Sequence, residues 1–429
     1  MTVHDASWVR QTMVAASERP SAATGVWLWA RNNLFNGWLS TVLTLVSLIA
    51  IGWGMLSIGP WLGNSVWNAS SVNECRQAMN GAPGACWAVI RDRWTQLFFG
   101  FYPAHLYWRP VIAFALLFAA LAPVLFTALP RRMIWFSILY PGVAFWLIWG
   151  GSLWSPALAY LGFIIGFGLF ASLARVNMGL ATAAAVIGAA TWWIGATGPL
   201  TSQLSAIAPI DLQTVASRDI GGFLLSIVIG VAGIAMSLPL GMLLALGRRS
   251  GMPLIRTMSV VYIEFIRGVP LITLLFTASL LLNYFLPPGT NFDLILRVVI
   301  MVTLFAGAYM AEVIRGGLAA LPRGQYEAAE ALGLDYWKAH RLIILPQALK
   351  ISIPGIVNSF IGLFKDTTLV MFIGLMDPIA LAGAIRANTD WQGIYWELYI
   401  FIGAVFFAFC FGMSRYSMYL ERRLKTDHR

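Results

Sequence analysis

The chain consists of long apolar runs separated by short polar segments. An α-helix needs about 20 apolar residues to cross the hydrocarbon of a bilayer. Runs of about that length lie near residues 36–62, 110–129, 133–151, 155–173, 177–198, 220–246, 258–286, 294–314, 349–373 and 395–418. The pattern therefore predicts an all-α polytopic integral membrane protein with about ten transmembrane helices.

Polar segments mark the ends and the main boundary of this pattern. Residues 1–35 lack a sustained apolar run and are predicted to form a partly disordered cytoplasmic tail, and residues 421–429 form a second tail. Residues 63–109 are polar and aromatic, which favours a long periplasmic loop. The spans within 36–210 contain almost no charge and are interpreted as a scaffold, whereas those within 211–420 carry polar residues at their ends.

Composition supports a membrane protein and changes the meaning of the charge. The chain of 429 residues is 59% hydrophobic and 11% charged, with a mean hydropathy of +0.75, so lipid must shield most of it. A net charge of +10 would suggest nucleic acid in a soluble protein, but topology explains it here, and no nucleic-acid partner is expected. Starting inside, the spans leave most Lys and Arg on the cytoplasmic side, which predicts two cytoplasmic termini. The opposite side holds Arg76, Arg91, Arg93, Arg109, Arg218, Arg297 and Arg386.

One polar stretch, residues 322–346, lies between two apolar segments and cannot cross a bilayer. Pro322 suits a first helical turn, Gly333 can leave a helix with positive φ, and Asp335 can cap a second helix. The second helix is predicted to end near Leu345, because the residue before a proline is pushed out of the αR region. A helix–glycine–helix unit between two spans has the shape of a docking element.

Two pairs of opposite charges lie near the predicted cytoplasmic ends of spans. Glu264 precedes Arg267 by three residues, and Glu312 precedes Arg315 by the same interval. Residues at this spacing share a helix face, so the members of each pair can meet. A structural or gating role is favoured over solute contact, because charges near the interface cost less than charges at the centre.

Lys365 and Asp366 lie deeper, about 15 residues into the ninth predicted span and roughly 22 Å along a helix. Adjacent residues point about 100° apart on a helix, so the two charges cannot simply neutralise each other. A solute with an ammonium and a carboxylate would suit such a pair. A role in a translocation pathway and structural pairing with neighbouring helices both remain open.

The cysteines give one candidate crosslink. Cys75 and Cys86 flank turn-forming pairs at 80–81 and 83–84, which can bring the two thiols within disulfide reach. In a periplasmic loop a disulfide is favoured over two buried free thiols. Cys410 lies in an apolar run and is interpreted as a packing residue.

The sequence offers no catalytic or metal-binding set. Its histidines are scattered through loops and tails, and no nucleophile and base recur at a catalytic spacing. No G-x-x-x-x-G-K-[ST] phosphate-binding loop occurs, so any ATP must be bound by another chain.

The stretch at 322–346 also carries a family signature. Its spacing matches the EAA-x3-G-x9-I-x-LP motif and resembles the permease subunits of bacterial ABC importers. The flanks YIEFIRGVP, AYMAEVIRGGL and FKDTTLV resemble the polar amino-acid permeases, and the N-terminal half is similar to the longer permeases of general L-amino-acid systems. The matching residues are Glu327, Ala328, Ala329, Gly333, Ile343, Leu345 and Pro346.

The resemblance implies a transport subunit rather than an enzyme, in the bacterial inner membrane. The last five spans would form a type I importer permease core, and a cytoplasmic coupling loop at 315–349 would insert into a separate ATP-binding subunit that holds ATP and Mg²⁺. The expected partners are that ATPase, a second homologous permease in a heterodimer, a periplasmic amino-acid-binding protein and the lipid bilayer. Thr367 joins Lys365 and Asp366 as a pathway candidate, with Glu312, Glu264 and Arg267 as gate candidates.

Other functions remain open at this level. An ABC permease for another small polar solute would carry the same signature. A self-contained channel or secondary transporter would act without an ATPase and would usually show inverted repeats with broken helices at the midplane. No convincing repeat relates residues 36–198 to 220–418.

Overall fold

The computed structural model describes residues 25–126, 128–281 and 292–424, and these residues are almost entirely helical. Within these ranges nine helices are long and apolar enough to cross a membrane, or ten if one bent pair is a single span. The prediction of an all-α chain with about ten spans is therefore confirmed. Most of the predicted N-terminal tail and residues 425–429 lie outside the described residues.

The described residues divide into two compact units. The first comprises the chain up to Asn68 together with Glu74–Trp87. The second comprises Ala69–Asn73 and the chain from Ala88 onward. The helices that begin before Ala88 are α1 (Val26–Leu34), α2 (Trp38–Gly63) and α3 (Val72–Ala78).

A disulfide links the two cysteines of the first unit. Cys75 and Cys86 are bonded, with their Cα atoms 5.9 Å apart. The Val66 N–H donates to the Ala85 carbonyl at 2.8 Å, which holds the two chain segments together beside the bond. The Trp67 ring stacks on another tryptophan, with ring centroids 5.8 Å apart. The candidate crosslink from the sequence therefore exists in the structure.

Between Ala88 and residue 212, the described part of the second unit contains six helices and a two-stranded sheet. A π-helical turn at Trp192–Ala196 joins two helices into one run, Met178–Ile207. This run is longer than the predicted span at 177–198. The predicted loop at 63–109 contains two short helices, α3 and a second helix at Ala88–Phe99. The elements are α4 (Ala88–Phe99), α5 (Trp108–Leu125), α6 (Ile134–Trp149), β1 (Gly151–Ser152), α7 (Trp154–Leu173), α8 (Met178–Thr191), α9 (Thr197–Ile207) and β2 (Asp211–Leu212), which pairs antiparallel with β1.

The described residues of the C-terminal half of this unit contain nine further helices. A 3₁₀ segment, Thr367–Ile373, extends one of them and ends at Gly374, which has the left-handed φ of +89°. The helices are α10 (Gly222–Arg248), α11 (Pro253–Gly268), α12 (Leu271–Phe276), α13 (Leu294–Ala319), α14 (Arg323–Ala331), α15 (Tyr336–Ala339), α16 (Leu345–Asp366), α17 (Pro378–Ala387) and α18 (Trp396–Leu424).

The apolar run predicted as a span at 258–286 contains a bent pair of helices. α11 ends at Gly268, and the helical run Leu271–Leu281 departs from it at an angle of 102°. Pro270 explains the break, because it lacks a backbone N–H and pushes Val269 into an extended conformation. Residues 282–286 lie outside the described residues.

The two halves of the second unit share one apolar core. Side chains that precede α10, including Tyr102, Leu147 and Val215, pack in the same buried cluster as Leu225 and Val298 of α10 and α13. The Tyr102 hydroxyl donates to the Ile148 carbonyl at 2.8 Å, which satisfies a polar group inside this cluster. The part of the chain between Ala88 and α10 therefore packs directly against the C-terminal helices.

Glycines allow the backbone of α4 to approach the start of α10. Gly222 has a φ of +61°, and a Cβ at this position would collide with the Leu97 carbonyl. The Gly222 N–H donates to the Met376 carbonyl at 2.7 Å. One glycine thus joins three segments that are distant in sequence.

We expect Gly222→Ala to destabilise the protein strongly. The left-handed backbone would cost about 1–3 kcal/mol for a residue other than glycine, and the collision adds roughly 1–3 kcal/mol. The thermal unfolding midpoint in detergent should fall clearly. Gly403→Ala is the control, because a Cβ there meets nothing within 4 Å. Equal midpoints for the two variants would contradict this account of the contact.

Candidate functional site: the EAA segment and a charge cluster

The EAA segment, residues 322–346, has the predicted helix–glycine–helix form. α14 begins directly after Pro322. Gly333 has a φ of +68°, in the left-handed region that favours glycine. The Asp335 carboxylate then accepts the Lys338 N–H at 2.8 Å and caps α15. This side chain is exposed, and the hydrogen bonds from Lys338 lower the pKa of the Asp335 carboxyl.

The predicted end of the second helix near Leu345 is wrong. Leu345 keeps helical angles, with φ −64° and ψ −42°, and a π-helical turn at His340–Ile344 joins α15 to α16. The Leu345 N–H donates to the His340 carbonyl, five residues back. Pro346 then falls in the first turn of α16, directly after this wider π-helical turn. One helical run therefore connects the EAA segment to Asp366.

One face of the EAA segment is buried against the spans. Ala329 is 1% exposed and Ile344 is fully buried. Tyr326 and Ile343 pack against the same apolar cluster, whose buried members come from α10, α11, α13 and α16 as well. Tyr326 therefore joins α14 to this cluster.

The other face of the segment is open. Glu327, Ala328 and Gly333 are exposed, as is Pro346, while Leu345 is half-buried. Beside them lie apolar side chains with unusual exposure: the exposed fraction is 73% for Leu332 and 63% for Trp337. A surface with small and apolar residues around one turn suits contact with another protein.

Polar contacts fix α14 to the ends of two spans. The Arg249 Nη1 donates to the Tyr326 hydroxyl at 2.9 Å and to the Leu318 carbonyl at 3.1 Å. The guanidinium also lies over the Tyr326 ring, 5.3 Å from its centroid. The Gln347 amide donates to the Gln325 side chain at 2.9 Å, which ties α16 to α14. Sequence reasoning missed Arg249 and Tyr326 as anchors, because they are 77 residues apart.

Five charged side chains from α10, α11 and α13 form a charge cluster. They are Arg248, Glu264, Arg267, Glu312 and Arg315. The Arg248 Nη1 lies 2.8 Å from the Glu264 Oε1 and 2.8 Å from the Glu312 Oε1. The Arg315 Nε contacts both oxygens of Glu312, at 3.1 and 3.0 Å. The Arg267 Nη1 lies farther from Glu312, 3.8 Å from its Oε2.

Of the two ion pairs predicted from the sequence, one is present in the cluster and the other is not. Glu312 and Arg315 meet on one helix face, as their spacing predicts. Glu264 and Arg267 do not pair within the described residues: Glu264 contacts Arg248, and Arg267 approaches Glu312. The reason is that α10 and α13 offer closer partners than the next turn of α11. The structure makes Arg248 the link between α11 and α13.

Lys365 and Asp366 end α16, immediately before the 3₁₀ segment. The Lys365 side chain is exposed and Asp366 is half-buried. Within the described ranges neither has an oppositely charged atom closer than 4 Å from another helix. Thr367 is buried, and its hydroxyl donates to the Phe364 carbonyl at 2.8 Å, so it serves the turn itself. Two charges without close partners need water or a ligand.

A cavity and the metal-binding side chains were considered as further candidate sites. A cavity of about 330 Å³ is lined by residues that include Arg218, Asp293 and Gly374, but it does not include Lys365 or Asp366. In the described ranges, no group of three or more His, Cys, Asp and Glu side chains is placed to hold a metal ion.

The fold and the EAA segment define a class: a polytopic membrane subunit that presents a helix–glycine–helix element to a partner. A model of the family described as binding-protein-dependent transport system inner membrane component matches residues 237–426. The chain belongs to this family and is the permease subunit of an amino-acid ABC importer, a multi-pass inner-membrane protein that is not itself catalytic. Membership implies an ATPase and a binding protein as partners.

Relatives extend the similarity to the whole chain. The glutamate/glutamine/aspartate/asparagine transport system permease protein BztC of Rhodobacter capsulatus is 59% identical over 99% of this chain and 100% of its own length. The inner membrane amino-acid ABC transporter permease protein YhdY of Escherichia coli is 39% identical, and the match covers 93% of each chain. A crystal structure of an amino acid ABC transporter with histidines is 32% identical over 47% of this chain and 91% of its own, with a TM-score of 0.42.

We expect Gly333→Val to uncouple ATP hydrolysis from uptake. A β-branched residue with positive φ costs about 1–3 kcal/mol, so the turn between α14 and α15 should change conformation. No atom lies within 4 Å of a Cβ at this position, so the effect comes from the backbone rather than from a collision. Uptake and substrate-stimulated ATPase should be measured in proteoliposomes that contain the partner subunits.

Gly324→Val is the matched control for this change. Gly324 lies in α14 with an ordinary φ, and a Cβ there also meets nothing within 4 Å. This variant should keep both activities. Normal uptake and normal stimulation in the Gly333 variant would disprove the role of the turn.

Proposed function

We propose that the protein carries glutamate, glutamine, aspartate and asparagine from the periplasm to the cytoplasm, as part of an importer whose ATP is hydrolysed by a separate subunit. The observation that carries this proposal is the 59% identity, over 99% of the chain, to a permease whose name specifies these four amino acids. The exposed face of the EAA segment supports the dependence on an ATPase. All four solutes share an ammonium and a carboxylate on one carbon.

The EAA segment is the proposed coupling loop, within residues 315–349. Its exposed residues, Glu327, Ala328 and Gly333, would enter a cleft of the ATPase, which would hold ATP and Mg²⁺. The small side chain of Ala328 allows close approach, and the Glu327 carboxylate can pair with a basic group. Tyr326 and the buried Ile344 would transmit the displacement to α10, α11, α13 and α16.

Both termini are proposed to be cytoplasmic, and the loop at 63–109 periplasmic. The distribution of Lys and Arg favours this orientation, because such residues accumulate in cytoplasmic loops. The Cys75–Cys86 disulfide supports it independently, because disulfides persist in the oxidising periplasm and are rare in the cytosol. The two arguments use different residues and point in the same direction.

A second homologous permease is the proposed partner within the membrane, with which the chain would form a heterodimer. The last five spans, within residues 211–420, would be the half of the permease core that this chain supplies. A periplasmic amino-acid-binding protein would deliver the substrate to that core. The part of the N-terminal region that begins at Ala88 would support one side of it, since both halves of the second unit share one apolar cluster.

Lys365 and Asp366 are the proposed contacts for substrate in the pathway. They lie at the end of α16, the helix that begins in the EAA segment, and neither charge is neutralised by a neighbouring helix in the described part of the chain. An ammonium would pair with the Asp366 carboxylate, and a carboxylate with the Lys365 ammonium. A shared helical run would connect substrate contact to ATPase movement.

We expect Lys365→Met and Asp366→Asn to raise the half-saturating substrate concentration for uptake. A hydrogen bond to a charged group contributes about 1.5–3 kcal/mol, so the increase should be roughly tenfold or more. Uptake should be measured with the complete complex in proteoliposomes. Asp211→Asn, in exposed β2, is the matched control. Wild-type affinity and rate in both pathway variants would remove these residues from the pathway.

The overall proposal is tested by reconstitution with and without the ATPase. Uptake of the four amino acids should require the ATPase, ATP and the binding protein. A self-contained transporter or channel would instead transport with this chain alone. Competition among amino acids in the complete system would show whether another polar solute is the true substrate.

A further inference from the structure

One nitrogen atom in the charge cluster connects two helices. The Arg248 Nη1 lies 2.8 Å from carboxylate oxygens of both Glu264 on α11 and Glu312 on α13. Arg248 itself is the last residue of α10. Three helices of the permease core are therefore joined through a single guanidinium group.

The two carboxylates differ in how firmly they are held. The Glu312 side chain is 16% exposed and contacts three arginines, one of which, Arg315, engages both of its oxygens. The Glu264 side chain is 54% exposed and forms an ion pair with Arg248. Exposed ion pairs contribute little to stability, so the contact of Glu264 can break at low cost. Glu312 is therefore held firmly at the centre of the cluster, whereas Glu264 lies at its periphery and can change its partner.

A second partner for Glu264 lies on its own helix. Arg267 is one turn further along α11, a spacing at which opposite charges meet on one face. In this structure Arg267 approaches Glu312 only to 3.8 Å. The same charges therefore allow two arrangements: Glu264 with Arg248 between helices, or Glu264 with Arg267 within α11.

The charge cluster lies close to the ends of α11 and α13. α11 ends at Gly268, one residue after Arg267, where the chain breaks by 102°. α13, which carries Glu312, ends at Ala319. Only three residues separate it from α14, which begins at Arg323. The cluster thus lies between the broken span and the segment that faces the partner.

We infer that Arg248 is a positioning residue that couples the EAA segment to the broken span, by holding Glu264 in one state of the transport cycle and releasing it to Arg267 in the other. This inference rests on the proposed function, since it assumes that movement of the EAA segment drives transport. Displacement of α13 carries Glu312 with it and moves Arg248 relative to α11. The break after Gly268 can then open or close the pathway without unfolding either helix.

The test is the number of ATP molecules hydrolysed per amino acid imported, in proteoliposomes that contain the complete complex. Arg248→Gln and Glu264→Gln each remove the link between helices, and each should raise this ratio about fivefold or more, the lower range of typical coupling effects. Arg248→Lys should keep a ratio near that of wild type, because an ammonium can also bridge two carboxylates. Arg256→Gln, on the exposed first turn of α11, is the control and should not change it.

Arg267→Gln should have a different effect. Without its second partner Glu264 stays with Arg248, so uptake and ATPase should slow together while their ratio stays unchanged. A purely structural cluster would lower the yield of assembled complex without altering the ratio in any variant. A wild-type ratio in Glu264→Gln, whose exposed side chain tolerates the change, would overturn the inference, whether or not Arg248→Gln assembles. Absence of ATP-dependent uptake in the wild-type complex would instead overturn the proposed function.

Discussion

Hydrocarbon offers no water to pair with peptide N–H and C=O groups, and the whole structure depends on this constraint. Continuous helices satisfy it, and wherever a helix breaks, side chains must replace the missing partners. At the broken span, the Arg297 Nε donates to the Phe292 carbonyl at 2.9 Å and its Nη1 to the Ser279 carbonyl at 3.1 Å. Asp293 caps α13 at the same place. Arg297 is buried, and it lies on the side of the membrane predicted to have few positive charges. Its hydrogen bonds to these two carbonyls explain why an arginine occupies this position.

Helical continuity also connects the surface to the membrane interior. The π-helical turn before Pro346 lets the EAA segment run into α16 without a loop, and close packing joins α16 to α13. A Cβ on Gly317 would collide with Ser352, whose hydroxyl donates to the Val313 carbonyl at 3.2 Å. Helices in such contact move together, because a packed core has few voids that could absorb a displacement.

Much of this architecture could be predicted from the sequence because it depends on local pattern. The number of spans follows from run length, the helix–glycine–helix form from Gly333 and Asp335, and the pairing of Glu312 with Arg315 from helical spacing. The disulfide followed from turn residues near its two cysteines. Each of these inferences uses residues that are close in the chain, where helix geometry and turn chemistry limit the alternatives.

The sequence by itself thus determined the class of protein, the spans and the family signature, because these depend on composition and on spacings within single helices. Only the tertiary structure decided that Glu264 contacts Arg248, that the chain bends by 102° before Pro270, and that it stays helical through Pro346. Spacing shows which side chains can meet on one helix. The partner that a charge actually takes, and whether a proline breaks a helix or begins one, depend on the helices that pack alongside.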